Sequence, residues 1–415
     1  MSGLDFKEKS IQVIKKTPEA YRDAGWKVYY IVGRDNSVKD NYFYERVCNI
    51  EGVEIYRFVI PFCEIYDKSS HPLIVTLLSR LRRYACIILL IYNGWKFLKR
   101  HKVDIVYGYE FQGGFAAKFL KFWGQIGAAK IVFRFQGVLF VKNWLERRQW
   151  YRWIIEWDYL FTLKTSSDLC IVTNDGSQGN LVLKKLHSKH LDNFLFLTNG
   201  VDDFQIDTIT KMQTPSIFSY KSQNKKVFIS VARLHPAKGI DKCLRIIELL
   251  VHKYNIRDLV YFVVGDGRER SKLENLVNIL DISEYVVFLG AIEHKYIPTL
   301  LCKSHYFLSM YFSTNVGNPL LEAIRANLLI ITLDNGDTSK WIQHNRTGLI
   351  YKVKNDAFLT LEELNCIASD LCMLVECKDR QKLIKKELYN FSCENLWTWK
   401  QRFEVEISAV EKLII

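Results

Sequence analysis

Residues 306–333 read YFLSMYFSTNVGNPLLEAIRANLLIITL. An apolar strand pattern, a loop of small polar residues, a helix pattern and a second apolar strand pattern follow one another, which is the repeat of a parallel α/β sheet. Within it Asn315, Gly317 and Asn318 supply a loop whose backbone can approach a ligand closely. Pro319 suits the first helical position, and the free N–H groups of the helix start face the loop, as an anion site requires. Glu322 lies about one turn in, where its carboxylate can accept hydrogen bonds from a sugar's vicinal hydroxyls. Alone, the stretch reads equally well as an ordinary capped helix after a strand, so its surroundings have to decide.

The surroundings repeat the pattern. Apolar runs predict strands over 227–232, 259–264, 286–289, 306–310 and 328–333, alternating with helical patterns of similar length. That is a doubly wound α/β domain, in which ligands bind at the carboxyl ends of the strands. Those ends carry Arg233, Gly265-Asp266-Gly267, Gly290, residues 313–318 and residues 334–338. Arg233 and Lys238, five residues apart in VARLHPAKG, have the spacing and charge to hold a diphosphate, although two basic loop residues are more often merely solvated. A helix is predicted near 361–374, and an amphipathic helix with Trp397, Trp399 and Phe403 over 395–413.

The first half is looser. A helix over 11–24 leads through Gly25 into a strand over 27–32, with a second strand over 53–58, one long helix or two over 72–99, and strands over 104–107, 131–135, 167–172 and 194–197. A helix over 112–123 completes a βαβ unit. No strand pattern precedes the first helix, and the expectation is of a unit entered partway, with a slot where an inner strand belongs. Two stretches mix cations with apolar residues: Arg80, Arg82 and Arg83 with the leucines of 72–100, and Trp144, Trp150, Tyr151, Trp153 and Trp157 with Arg147, Arg148 and Arg152. The first suits a buried helix or one lying at a lipid interface; the second suits stacked single-stranded bases, an anionic lipid surface, or a solvated basic face over an aromatic core.

At 415 residues the chain is long for one core, and two domains are expected. With 49% hydrophobic and 14% aromatic residues and no short repeat, it reads as folded throughout. The net charge of +13 calls for an anionic partner. Ten cysteines are scattered singly without C-x-x-C, which suggests neither a zinc site nor a disulfide framework and fits a cytoplasmic protein. The opening MSGLDFKEKSIQVIKK is too charged for a secretory signal.

FISVARLHPAKGID, YFVVGDGRERSKLENL, NVGNPLLEAIRANLLIITLDNG and TNGVD stand in the order of the motifs of retaining family 4 glycosyltransferases, and the chain resembles that family. The resemblance implies a GT-B architecture, two Rossmann-like doubly wound domains facing across a cleft. Residues 1–205 would form the acceptor-side domain, 206–226 a linker, 227–390 the nucleotide-sugar domain, and 391–415 a helix returning to the first domain. It implies that Arg233 and Lys238 hold the donor diphosphate and Glu322 the ribose. Gly265, Gly267, Thr314, Asn315, Gly317, Asn318, Leu320 and Leu321 would line the donor, and Glu110, Gln136 and Gly137 the acceptor side. Thr314 stands where the family usually has a Glu, and Gln136-Gly137 where many members have His-Gly.

The function so implied is transfer of a hexose, with retention, from a UDP- or GDP-linked sugar to a glycan or lipid-linked acceptor in bacterial surface polysaccharide assembly. No metal or other cofactor is expected, because no Asp-x-Asp motif stands at a strand end. The location implied is cytoplasmic, peripheral on the inner face of the plasma membrane where the basic and apolar stretches meet anionic lipid. A non-catalytic relative that binds a nucleotide sugar is the second reading, favoured by Thr314 and the absent leading strand. Nucleic acid is not expected as a partner, since no recognised module accompanies the charge.

Overall fold

The structure, a computed structural model, describes residues 12–35, 50–61, 72–146, 149–187, 193–204, 225–312, 316–352 and 359–415. The first half runs through α1 (Gln12–Asp23), β1 (Val28–Asp35), β2 (Val53–Ile60), α2 (Pro72–Leu98), β3 (Ile105–Tyr109), α3 (Glu110–Phe122) and β4 (Lys130–Phe135). It continues with α4 (Leu139–Glu146), α5 (Tyr151–Ile155), α6 (Trp157–Lys164), β5 (Leu169–Thr173), α7 (Gly179–Leu186) and β6 (Phe194–Leu197). The second half begins with β7 (Lys226–Val231), α8 (Ile240–Glu248), β8 (Leu259–Val264), α9 (Arg270–Ile279), β9 (Val286–Gly290) and α10 (Ile297–Cys302). Then come β10 (Tyr306–Ser309), α11 (Asn318–Arg325), β11 (Leu329–Leu333), β12 (Leu349–Tyr351), α12 (Leu361–Glu376), α13 (Lys378–Asn395) and α14 (Trp399–Glu411).

The chain divides into two compact units. Unit 1 takes the described residues of Met1–Asn174, Gln178–Thr198 and Trp399–Ile415, and unit 2 those of Asp175–Ser177 and Asn199–Thr398. In unit 1 the strands β3 to β6 form a parallel sheet in sequential order, with β1 and β2 a separate parallel pair. Both faces of the larger sheet are covered, as parallel sheets require. Ile131, Phe133 and Phe135 of β4 pack on Phe111, Ala117 and Leu120 of α3. The alternate residue Val132, with Leu169 and Ile171 of β5, packs on Val13 and Tyr21 of α1 and on Trp399, Phe403 and Ile407 of α14.

The pair β1–β2 is tied in by the same helices. Ile14 of α1 packs with Ile50, Tyr30, Val53 and Ile55, and Phe97 at the end of α2 meets the rings of Tyr29 at 4.8 Å and Tyr56 at 5.3 Å. Gly94 lets α2 lie close on α3, since a Cβ there would meet Leu120 Cδ1 at 2.9 Å. The expected slot before α1 concerns residues 1–11, which lie outside the described residues, as does most of the expected linker 206–226.

Residues 72–98 form one helix, and two of its arginines, Arg80 and Arg83, are engaged by buried acids. Arg83, almost buried, pairs with Glu156 and with Asp158 at 3.0 Å, while Arg80 and Arg152 each reach Glu156 at 3.7 Å. Burying two acids between α2 and the α5–α6 junction requires cations beside them, and these three supply them. Arg147 and Arg148 lie outside the described residues. α2 leaves several large apolar side chains outward, Ile74, Leu77, Leu81, Ile88 and Tyr92, alongside the polar Thr76, Ser79 and Lys96; Trp150, Ile154, Trp157 and Phe161 are exposed too. Among the described residues no helix is long and apolar enough to cross a membrane.

Unit 2 is a six-stranded parallel sheet in the order β12-β11-β10-β7-β8-β9, with apolar cores on both faces. From β7 the chain runs outward through β8 and β9, then returns to the other side of β7 for β10, β11 and β12. The strand order therefore reverses between β7 and β10, and it is at the carboxyl ends flanking such a switch point that ligands bind in sheets of this kind.

Candidate active site

Past β7 the backbone is fixed by glycines that neighbouring chain segments require. Gly239 enters α8 at φ +61°, and a Cβ there would meet Met310 O at 2.0 Å. Gly265, at φ +128°, and Gly267 would place a Cβ at 1.9 Å from Ala232 O and 2.3 Å from Leu234 O. The two glycines read from sequence as donor-lining thus serve first to bring the loop after β8 against the loop after β7. There Leu234 N donates to Asp266 O at 3.0 Å.

Between these glycines stand the cations. Arg233 is exposed and Lys238 half-buried, its Nζ 3.9 Å from the centre of the Tyr311 ring. Tyr311 is buried and donates from its hydroxyl to Val231 O at 2.9 Å, which locks the ring beneath the lysine. Burial first, then the charge of Arg233, pushes the Lys238 amine below its ordinary value. His235 contacts Arg268 Nη2 through Nε2 at 3.0 Å, and burial followed by the charges of Arg268 and Arg233 lowers its pKa too. Arg233, His235 and Lys238 past β7 and Arg268 past β8 thus set cationic groups at two adjacent strand ends, an arrangement that stabilises an anion.

Across the switch point, α11 starts at Asn318 with Gly317 as its extended N-cap and Pro319 in the first turn. Leu320 N and Leu321 N donate to Gly317 O at 3.0 and 3.2 Å, while both leucine side chains are buried in the core. Asn318 Oδ1 accepts from Asn199 Nδ2 at 2.7 Å, so the TNGVD turn braces the helix start. The far end of α11 is braced too, Arg325 donating to Val201 O at 3.3 Å and Leu396 O at 2.8 Å. Glu322 is 4% exposed, and its Oε1 lies 2.7 Å from His294 Nε2. Thr314 and Asn315 lie outside the described residues.

The topology of unit 2 thus gathers Arg233, Lys238, Gly265, Gly267, Gly317, Asn318 and Glu322 at one end of one sheet. His294, His235, Arg268 and Tyr311 join them there, none of which the sequence singled out. His294 stands just past β9, where a polar residue beyond a strand end was the available signal.

The acceptor-side candidates belong to unit 1. Glu110 takes φ +57°, a conformation rare outside glycine, and its Oε1 accepts from Gln136 N at 2.8 Å. Gln136 Nε2 donates to the Tyr109 hydroxyl, whose pKa burial pushes up. Glu110, Gln136 and Gly137 therefore come together where β3 and β4 end, with Tyr109 as a fourth member.

Residues 213–381 match the family model described as Glycosyl transferases group 1. A phosphatidylinositol N-acetylglucosaminyltransferase GPI3 subunit of Saccharomyces cerevisiae is 26% identical over 189 residues, 45% of this chain and 40% of that protein. A 2-deoxystreptamine N-acetyl-D-glucosaminyltransferase of Niallia circulans is 27% identical over 126 residues, 30% of this chain and 32% of that protein. The chain thus spans less than half the length of either curated relative. The crystal structure of Anabaena HepE in complex with UDP and glucose superposes with a TM-score of 0.64 at 13% identity, covering 96% of each chain, which shows the fold. The chain thus has a GT-B fold of two Rossmann-like units, and its second half resembles the glycosyl transferases group 1 family over residues 213–381.

Proposed function

We propose that this chain is a retaining glycosyltransferase of family 4 type, moving a hexose from a UDP- or GDP-linked donor to a glycan or lipid-linked acceptor in bacterial surface polysaccharide assembly. The observation that supports the reading is the placement of Arg233 and Lys238 past β7, and of the first turn of α11 with Glu322 past β10, on the two sides of the switch point of unit 2. The acceptor oxygen attacks the anomeric carbon on the face from which the diphosphate departs. The carbon–phosphate-oxygen bond breaks as the new glycosidic bond forms, and the acceptor proton passes to the leaving phosphate. Arg233 and Lys238 offset the charge that develops on that phosphate. The reading gives this task to side chains rather than to a divalent ion, so turnover is expected to survive EDTA. Incubation with UDP- and GDP-sugars and a lipid-linked acceptor, followed by NMR of the product, tests it. An α-donor should give an α-product with release of nucleoside diphosphate, and a β-product overturns retention.

The acceptor class is supported by the outward faces of unit 1. Ile74, Leu77, Leu81, Ile88 and Tyr92 recur on one side of α2, and Trp150, Ile154, Trp157 and Phe161 are exposed on and beside α5 and α6. An apolar helix face of this kind lies at a lipid interface. With Arg80, Arg83 and Arg152 turned to Glu156, binding is carried by apolar contact more than by charge. Leu77→Ser with Ile88→Ser is expected to weaken sedimentation with phosphatidylglycerol vesicles at least tenfold, at ~1.5 kcal/mol or more per large apolar side chain. Undiminished binding by the double variant removes the apolar face from the reading.

A further inference from the structure

We propose that His294 is a positioning residue that sets the donor site's selectivity for a ribose over a deoxyribose, acting through Glu322. The inference rests on the reading of Glu322 as the ribose contact. An ionised carboxylate only accepts hydrogen bonds, so the 2.7 Å contact requires His294 Nε2 to carry the proton and donate it to Glu322 Oε1. A glutamate has three side-chain torsions, and freezing them on binding costs affinity unless they are frozen beforehand. With Oε1 held, rotation about the last torsion stops and the direction of Oε2 is set. The carboxylate then presents itself to two vicinal hydroxyls in one fixed orientation.

The brace is rigid because its two ends share one core. His294 opens a turn of 3-10 helix, His294–Tyr296, that runs directly into α10. Ile297, Leu300 and Leu301 of α10 are buried in the same cluster as Leu320 and Leu321 of α11. A shift of His294 relative to Glu322 would have to move packed side chains on both helices. The segment leaves β9 through Gly290, which takes φ +71°, a conformation that glycine adopts without strain.

The experiment compares UDP with 2′-deoxy-UDP, and GDP with 2′-deoxy-GDP, by calorimetric titration of the full chain. Wild type should prefer the ribonucleotide by about 10–100-fold, the usual scale of a hydrogen bond to a charged group. His294→Ala should reduce that preference to within about threefold, and His294→Gln, whose amide still donates, should restore part of it. In turnover, His294→Ala should raise the donor KM with kcat little changed, because the contact is equal in ground and transition states. Unchanged preference in His294→Ala, with the preference lost in Glu322→Gln, overturns the role of His294 and leaves the ribose contact standing. Tighter ribonucleotide binding by His294→Ala also overturns it, showing that the imidazole occupies the ribose's place. If wild type shows no preference, or binds neither nucleotide, the reading of Glu322 fails and the inference falls with it.

Discussion

Glu406→Gln is expected to remove much of the stability of unit 1 while leaving unit 2 folded. Glu406, on α14, is the shared partner of Arg134 and Arg402, both at 2.6 Å, and accepts from the Tyr107 hydroxyl at 2.7 Å and the Tyr21 hydroxyl at 3.2 Å. Arg134, Arg402 and Glu406 are each 0% exposed. Two guanidiniums thus share one carboxylate, and removing it strands both charges. Breaking a buried ion pair costs about 3–5 kcal/mol, against about 5–15 kcal/mol for the whole of a domain. At roughly 2–4 °C per kcal/mol for a unit of this size, the first thermal transition should fall by about 6–20 °C. Scanning calorimetry measures it, and a transition within about a degree of wild type shows that the cluster contributes little. Replacing all three residues together by apolar ones should recover part of the loss.

The same cluster fixes how unit 1 responds to pH. Burial alone would raise the Glu406 carboxyl, but Arg134 and Arg402 outweigh it and hold the pKa below the usual range. A depressed carboxyl contributes stability above its unfolded value, about 4.3, and loses it as pH falls through the folded one. Burial, then the charge of Glu406, raises Tyr21 and Tyr107 well above their ordinary values. Their contribution is complete below about pH 10 and is lost as pH rises through the folded pKa. Unit 1 should therefore melt at a steady temperature between those limits and earlier outside them. In Glu406→Gln the acid limb should flatten.

Arg233→Ala and Lys238→Ala should each lower turnover by about two orders of magnitude, the scale for removing one preorganised donor or charge from a transition state. Melting temperatures should be little changed for Arg233→Ala, since that side chain is exposed. Arg233→Ala carries a second signature. The charge of Arg233 helps depress the Lys238 amine, so its removal should raise the Lys238 pKa and move the alkaline limb of kcat/KM to higher pH. Wild-type rates in both purified variants would contradict the diphosphate role, and an unmoved limb in Arg233→Ala would contradict the coupling alone.

The sequence made the strands β7 to β11 plain because each is a short, nearly unbroken apolar run bounded by polar turns, the mark of a buried strand, although β9 at the sheet edge buries only Val286 fully. β12, only Leu349–Tyr351, is too short to show a period. The 18-residue helix α13 went unread because its buried side chains, Ile384, Leu388 and Ser392, stand singly among lysines and glutamates. The site was legible where chemistry and strand end coincide in one segment, as at Arg233, Lys238 and Glu322. It was illegible where distant segments meet, as when His294 reaches Glu322 across 28 residues. Arg402 and Glu406, four residues apart on a helix, look like an ordinary surface pair, and nothing local reveals that Arg134 lies opposite.

The membership of α14 in unit 1 sets an order of events during synthesis. The last strand of that unit's sheet is made by Leu197, yet the carboxylate that neutralises Arg134 arrives 272 residues after it in the chain. At about 5–20 residues per second, roughly 14–54 s pass on the ribosome between Arg134 and Glu406 before the cluster can close. Unit 2 ends at Thr398, just ahead of α14, so it is complete before unit 1 although most of unit 1 is encoded ahead of it. Through that interval the face formed by Val132, Leu169 and Ile171 lacks its α14 cover, and Arg134 keeps its hydration. A nascent chain halted before Trp399 should accordingly be a chaperone client and be cut by protease within its first 200 residues, while its second half resists.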